Sequence, residues 1–271
     1  MQAVEAKGFK IPIVGLGTWE LRGRDCARLV EQAIRLGYRH IDTAQMYANE
    51  AEVGEGVRAS GKRAEVMVTT KVAHTNLAPQ DVDRSVKESL RKLRIDEIDL
   101  LLIHWPNERI PLAETLGAMA SLKQAGYVKQ LGVSNFTVKL LDEATKVCSE
   151  PLVCNQIEYH PFLDQSKVIA ACQRHGMAVV AYSPIARGSA KGNEVLERIG
   201  KAHGKSGAQV SLRWLVQQGI VVIPRTSRLE RLAENFAVFD FTLSPAEMTE
   251  IAALSGAAKR IVNLAWSPQW D

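Results

Sequence analysis

The sequence has no stretch approaching the ~20 consecutive apolar residues that a membrane-crossing helix needs. Its beginning, MQAVEAKGFKIPIVG, lacks both a long apolar run and a small-residue cleavage site, so no secretory signal is expected and a soluble, cytoplasmic protein is. Cysteine is sparse. Cys26, Cys148, Cys154 and Cys172 are scattered without a C-x-x-C pair, and the six histidines form neither an H-E-x-x-H motif nor a Cys/His cluster. Reduced thiols and no bound metal are expected. Charge of one sign is not in excess either: 34 basic and 30 acidic residues are interspersed to a net charge of +4, without the concentrated basic face that nucleic acid would require. Two glycine motifs are incomplete. GLGTWE begins G-x-G but carries Glu20 where a dinucleotide fingerprint needs its third glycine. GKS at 204–206 resembles the tail of a phosphate loop, but Ile199 stands where that motif's first glycine belongs and no strand precedes it. It reads as a polar turn before a helix.

What is there is alternation. Eight short β-rich runs, GLGTWE (15–20), HIDTA (40–44), VMVTTKV (66–72), DLLLIHW (99–105), QLGVSN (130–135), NQIEY (155–159), AVVAYSP (178–184) and VVIPRT (221–226), are separated by amphipathic stretches. Those stretches, such as DCARLVEQAIRLG and PQDVDRSVKESLRKL, repeat their apolar residues at three and four and end at Gly or a basic residue, as helices do. The one long gap, 185–220, holds two such patterns. Strand–helix repetition favours a parallel sheet with helices outside. Eight units, a length of 271 residues against the ~250 typical of such barrels, and no Pro/Ser/Gly-rich linker predict one closed (β/α)8 TIM barrel over 1–271 rather than an open doubly wound sheet.

In a barrel the chemistry belongs at the C-terminal ends of the strands. Asp42 closes the second strand, Tyr47 begins the loop after it, Lys71 closes the third and His104 the fourth. Each alone has a structural explanation: Asp42 a helix cap, Lys71 a snorkelling side chain, His104 a satisfied core histidine, Tyr47 simple packing. Together on three adjacent strand ends they share one pocket mouth. A Lys beside an Asp is satisfied, and its cation is expected to favour a phenolate and lower the Tyr47 pKa toward neutrality. The partner of such a proton donor is a carbonyl oxygen becoming an alkoxide, oriented by His104.

GYRHIDTAQMYANEAEVG (37–54) resembles the signature of the aldo-keto reductases, and further matches follow in order: TTK at 69–71, DLLLIHWP at 99–106, GVSNF at 132–136, NQIEYHP at 155–161, AYSP at 181–184 and IPRTSRLERLAENF at 223–236. The resemblance covers nearly the whole chain. The compact length and the SPQWD ending are most similar to small bacterial members, among them the 2,5-diketo-D-gluconate and methylglyoxal reductases. It implies Tyr47 as general acid, Lys71 and Asp42 as the pair that tunes it, and His104 as the group that positions the carbonyl. It implies that Ser134, Asn135 and Gln156 hold a nicotinamide carboxamide, that Tyr182 stacks on the ring, that Ser183 and Pro184 lie near the pyrophosphate, and that Gly17, Thr18 and Ile223 belong to the same cofactor site.

Arg225, Arg228 and Arg231 lie within seven residues just after the eighth strand, where this fold often binds phosphate. A solvated basic face is the plain alternative; guanidinium groups also suit the phosphate that distinguishes NADPH from NADH. By resemblance Arg225, Thr226, Ser227 and Arg231 read that end, with Glu234 and Asn235 toward the adenine. Arg225 replaces the family's lysine and Thr226 its serine; charge and hydroxyl are kept, and NADPH is the expected cofactor. Trp19 and Trp105 are expected to wall an apolar substrate pocket, with Trp266 or Trp270 from the tail folding over it or packing elsewhere. Short loops predict an open pocket for small carbonyls. The expected protein is thus a monomeric NADPH-dependent carbonyl reductase; its rivals are a nucleotide-binding redox sensor on the same fold and a Schiff-base lyase using Lys71.

Overall fold

The computed structural model describes residues 2–257 and 260–271. It opens with an element the alternation pattern missed, an antiparallel hairpin of β1 (Ala3–Ala6) and β2 (Phe9–Pro12). Its register puts Val4 opposite Ile11. Ile11 is fully buried in one apolar cluster with Met67, Leu100, Ala178 and Val221, so the hairpin plugs the end of the sheet opposite the predicted mouth.

Eight parallel strands follow in chain order: β3 (Leu16–Gly17), β4 (His40–Asp42), β5 (Met67–Val72), β6 (Ile98–Ile103), β7 (Val128–Ser134), β8 (Leu152–Glu158), β9 (Ala178–Tyr182) and β10 (Val221–Val222). Every strand pairs with its neighbour in sequence. Parallel bridges Val14–Val222 and Gly17–Arg225 join the first strand to the last and close the ring. The expected (β/α)8 barrel is borne out, with the first and last barrel strands, β3 and β10, reduced to two residues each. Pro224 has no N–H to give the ladder. The closure there rests instead on the Gly17 N–H donating to the Pro224 carbonyl at 3.1 Å.

Around the barrel lie α1 (Gly23–Leu36), α2 (Glu50–Ala59), α3 (Pro79–Leu93), α4 (Leu112–Gln124), α5 (Val138–Val147), α6 (Ser166–Arg174), α7 (Glu194–His203), α8 (Gly207–Gln217), α9 (Leu229–Phe236) and α10 (Pro245–Ala252). Local chemistry sets their ends. Ser206 and Ser244 form capping boxes with Gln209 and Glu247, so the GKS stretch is the polar turn expected of it. In α2 the two glycines permit close packing: a Cβ at Gly54 would lie 2.1 Å from the Leu93 carbonyl oxygen and one at Gly56 2.4 Å from that of Ala27. Helix α2, which follows Tyr47, is thereby wedged between α1 and α3.

The period of two along each strand sorts the side chains. Leu101 and Ile103 face the helices; Leu100 and Leu102 face inward, each contributing about 1.5–3 kcal/mol by burial. Following that inward parity toward the C-terminal ends gives Asp42 after His40, Lys71 after Met67 and Thr69, His104 after Leu102, Gln156 after Cys154 and Tyr182 after Val180. The interior is apolar at the plugged end and polar at the other. Among the described residues no helix is long and apolar enough to cross a membrane, and no His/Cys/Asp/Glu cluster has metal-binding geometry.

Candidate active site

Lys71 is fully buried at the end of β5, and its three donors have three acceptors. The ammonium reaches Asp42 Oδ1 at 2.5 Å, the Thr43 carbonyl at 2.8 Å and the Tyr47 hydroxyl at 3.5 Å. The other Asp42 oxygen accepts from Gln156 Nε2 at 2.7 Å. A carboxylate this deep is tolerable only because both oxygens are used.

The position of Tyr47 is set by the loop after β4. Residues Gln45–Tyr47 form a single 3-10 turn. Gln45 Oε1 accepts from the Ala73 N–H at 3.0 Å, tying that turn to the end of β5. Asn49, fully buried, donates through Nδ2 to the Thr18 and Leu21 carbonyls and accepts the Thr43 hydroxyl at 2.7 Å, joining the loops after β3 and β4. The Tyr47 ring meets the His104 ring edge to face at 5.4 Å.

The electrostatics correct one expectation. Burial first, then the Asp42 charge, holds the Tyr47 phenol well above its ordinary value; it is not drawn toward neutrality. The lysine cation that was to lower it is matched by Asp42 at shorter range. Burial likewise pushes Lys71 down, opposed by Asp42. His104 is driven well below the usual histidine range by burial, Lys71 and His74, so its imidazole is neutral. Its Nδ1 is buried without a partner among the described residues. The site thus holds a phenol that keeps its proton and an uncharged imidazole.

A cavity of about 600 Å³ opens over these groups, lined among others by Asp42, Tyr47, His104, Trp105, Asn135, Gln156 and Tyr182, and further along by Ser183, Pro184, Ile223 and Arg225. Gly17, Thr18 and Trp19 also line it. Asn135 is held on every side: Nδ2 donates to the His104 carbonyl at 2.9 Å and to Ser134 Oγ at 3.1 Å, while Oδ1 accepts the Tyr182 hydroxyl at 2.8 Å. Ser134 Oγ in turn donates to the Gln156 carbonyl. The backbone is left-handed at Asn135 (φ 63°), Ser183 (φ 50°), Ala186 (φ 49°) and Arg187 (φ 51°), a concentration of uncommon conformation at this rim. Two amides, a flat phenol ring and, at the far end, an arginine along one cavity fit a nicotinamide nucleotide.

Other candidate residues lie outside the cavity lining. Thr226 and Asn235 are buried, Ser227 and Glu234 are exposed and Arg231 is half-buried, all on β10–α9 or in α9. Trp266 stacks on His74, ring centroids 4.4 Å apart and nearly coplanar, and the tail residues that do line the cavity are Val262 and Leu264. Trp270 packs on the Arg260 guanidinium at 3.7 Å and edge-on to Trp105 at 6.1 Å. Trp19 rims the mouth under the Arg187 guanidinium, 4.7 Å from its ring. Arg187, Val262 and Leu264 carried no sequence signal, and Met46 and Ile185, although inside or next to the quoted motifs, carry no chemistry that singles them out; all five reach the site through the fold.

Comparison with known proteins agrees with this geometry. The model of the aldo/keto reductase family matches residues 13–255. The methylglyoxal reductase DkgB of Yersinia pestis is 38% identical, covering 97% of this chain and 100% of its own. A crystal structure assigned as a 2,5-diketo-D-gluconic acid reductase B superposes with a TM-score of 0.98 at 46% identity, over 100% of this chain and 98% of its own. The aldose reductase of Schistosoma japonicum does so at 0.93 and 32% identity, over 98% and 96%. The quartet of Asp42, Tyr47, Lys71 and His104, the barrel that carries it and these matches together place the chain in the aldo/keto reductase family, as an oxidoreductase.

Proposed function

We propose that the protein reduces small aldehydes and reactive ketones, 2-oxoaldehydes such as methylglyoxal and keto sugar acids among them, to alcohols with NADPH. The observation that carries this reading is the Tyr47 hydroxyl, protonated at neutral pH, 3.5 Å from the Lys71 ammonium, in a cavity shared with His104 and the Asn135–Tyr182 pair. Asn135, Gln156 and Tyr182 would hold a reduced nicotinamide, which would supply the hydride there. Neutral His104 donates a hydrogen bond to the substrate oxygen and fixes which face of the carbonyl is presented. As negative charge gathers on that oxygen, Tyr47 Oη gives it a proton, and the phenolate left behind is stabilised by Lys71. Lys71 can do so because Asp42 keeps it charged in a buried place. Trp19 and Trp105 exclude water from the reacting end. At the other end Arg225 and Arg231, with the Thr226 and Ser227 hydroxyls, hold the phosphate particular to NADPH, with Glu234 and Asn235 at the adenine.

The Schiff-base reading is disfavoured by the same geometry, since every Lys71 donor is already directed at a protein acceptor and the side chain is fully buried. The names of the similar reductases support small oxo compounds as substrates. The test is oxidation of NADPH, followed by its absorbance, with methylglyoxal, 2,5-diketo-D-gluconate and nitrobenzaldehyde, repeated with NADH. Turnover favouring NADPH is expected. NADPH binding without turnover on any of the three would instead support the sensor reading.

A further inference from the structure

Glu158, the last residue of β8, is fully buried yet takes no part in the proton chemistry above. Its carboxylate is turned toward the chain's tail. Oε1 accepts the Ile261 N–H at 2.7 Å and Oε2 accepts the Val262 N–H at 2.7 Å. His160 completes the set: its Nδ1 accepts from the Phe162 N–H at 3.3 Å, which leaves the ring proton on Nε2, 3.2 Å from Glu158 Oε1. The Glu158 backbone carbonyl is itself clamped by Gln165 Nε2 at 2.7 Å. Glu158 also stands in register opposite Tyr182 across the β8–β9 ladder, so the anchor belongs to the same rigid wall as the cavity. The tail it grips then runs through Val262 and Leu264, which line the cavity, to Trp266 on His74.

We propose that Glu158 is a positioning residue which, by holding two consecutive tail amides to the barrel, sets the tail wall of the cavity and so decides how the protein discriminates between large and small carbonyl substrates. A buried carboxylate accepting three hydrogen bonds, two of them from backbone N–H groups more than a hundred residues away in sequence, is costly to place, and the nearby Arg260 charge, itself part of the tail, adds to the same attachment. A carboxylate is what the arrangement requires, because two N–H groups and an imidazole N–H converge and only an acceptor-only group meets all three. The proposal rests on the cavity being the carbonyl site. On this proposal a substrate as small as methylglyoxal is held by Tyr47 and His104, whereas a bulky aldehyde also uses the Val262 and Leu264 wall of the same cavity.

Glu158→Gln replaces one acceptor oxygen by an NH2 that faces an N–H, and Ile261→Pro removes one tail donor while leaving the barrel untouched. Both are compared with the unaltered protein by amide hydrogen exchange of the 260–271 segment and by kcat and KM for methylglyoxal and for a bulky aromatic aldehyde. Expected are at least tenfold faster exchange at Val262, a KM for the bulky aldehyde raised about tenfold, and a methylglyoxal kcat within about twofold of the parent. Unchanged tail exchange in both variants overturns the anchor. Faster exchange with both substrates' KM rising equally, or with kcat falling equally for both, overturns its role in discrimination. Absence of carbonyl turnover in the unaltered protein defeats the carbonyl-site reading instead, and the exchange result still tells whether the anchor exists. If Glu158→Gln does not fold, Ile261→Pro alone decides both points.

Discussion

The two ends of the cavity are built on opposite principles. At the catalytic end Asp42, Lys71 and Gln156 are buried on strand ends, and both Asp42 oxygens, the Lys71 ammonium and Gln156 Nε2 are matched to one another or to neighbouring acceptors. At the end proposed for the nucleotide Arg225 lines the cavity, and Ser227 and Arg228 lie beyond it, all three exposed on the connection from β10 to α9 and held by a few contacts such as Arg225 Nε to the Trp19 carbonyl at 3.1 Å. Proton transfer needs atoms fixed to a fraction of an ångström, which strands in a packed barrel provide. Holding a phosphate needs charge and reach, which surface arginines provide at little cost in stability. Damage to the first end should therefore appear in turnover and folding, and damage to the second in cofactor affinity.

The largest effect expected is that of Tyr47→Phe, which keeps the ring against His104 and deletes the proton: turnover should fall by a factor on the order of 10²–10⁴, read as kcat under saturating cofactor. Next is Asp42→Ala, which leaves Lys71 buried without its counter-charge. Thermal or chemical unfolding should show a loss of about 3–5 kcal/mol, whereas Glu31→Ala, breaking the exposed Glu31–Arg35 pair, should cost under about 1 kcal/mol. Equal costs would erase the contrast between buried and exposed charge.

His40, below the quartet, sharpens the same point through pH. Burial depresses it to about 4. Between there and its unfolded value near 6.5 the unfolded chain binds a proton that the folded chain does not. Stability therefore falls as the pH drops from about 6.5 to about 4, by about 3 kcal/mol for this one group. Denaturant titrations at pH 7 and pH 4 on the parent and on His40→Gln should show the smaller pH slope in the variant. The smallest effect is at the far end: Arg231→Ala should weaken NADPH about tenfold, or about 1.4 kcal/mol, and leave NADH nearly unchanged in fluorescence titrations.

Much of this was legible in the sequence, for identifiable reasons. The order of eight strands followed from their spacing and from alternating periods of two and 3.6, and Asp42, Lys71 and His104 were found because polar residues closing apolar strands stand out. The hairpin at 3–12 escaped because AVEA and FKIP carry too few β-branched or aromatic residues to read as strands. The direction of the Tyr47 shift escaped because sequence showed the lysine nearby but not that Asp42 would engage it at 2.5 Å while the phenol hydroxyl lies at 3.5 Å. The tail's place was hidden for the opposite reason: its tryptophans drew attention, but Val262 and Leu264 line the cavity because Glu158, far away in sequence, holds the backbone between them and the barrel.

The central claim is that the two ends act independently, one supplying the proton and one the grip on the cofactor. It is tested most directly by measuring kcat and the NADPH dissociation constant for Tyr47→Phe, Arg231→Ala and the double variant in one series. The account predicts that Tyr47→Phe lowers kcat alone, Arg231→Ala weakens NADPH alone, and the double variant shows both effects without coupling. A Tyr47→Phe protein that binds NADPH as weakly as Arg231→Ala does, or that turns over as fast as the parent, would contradict it.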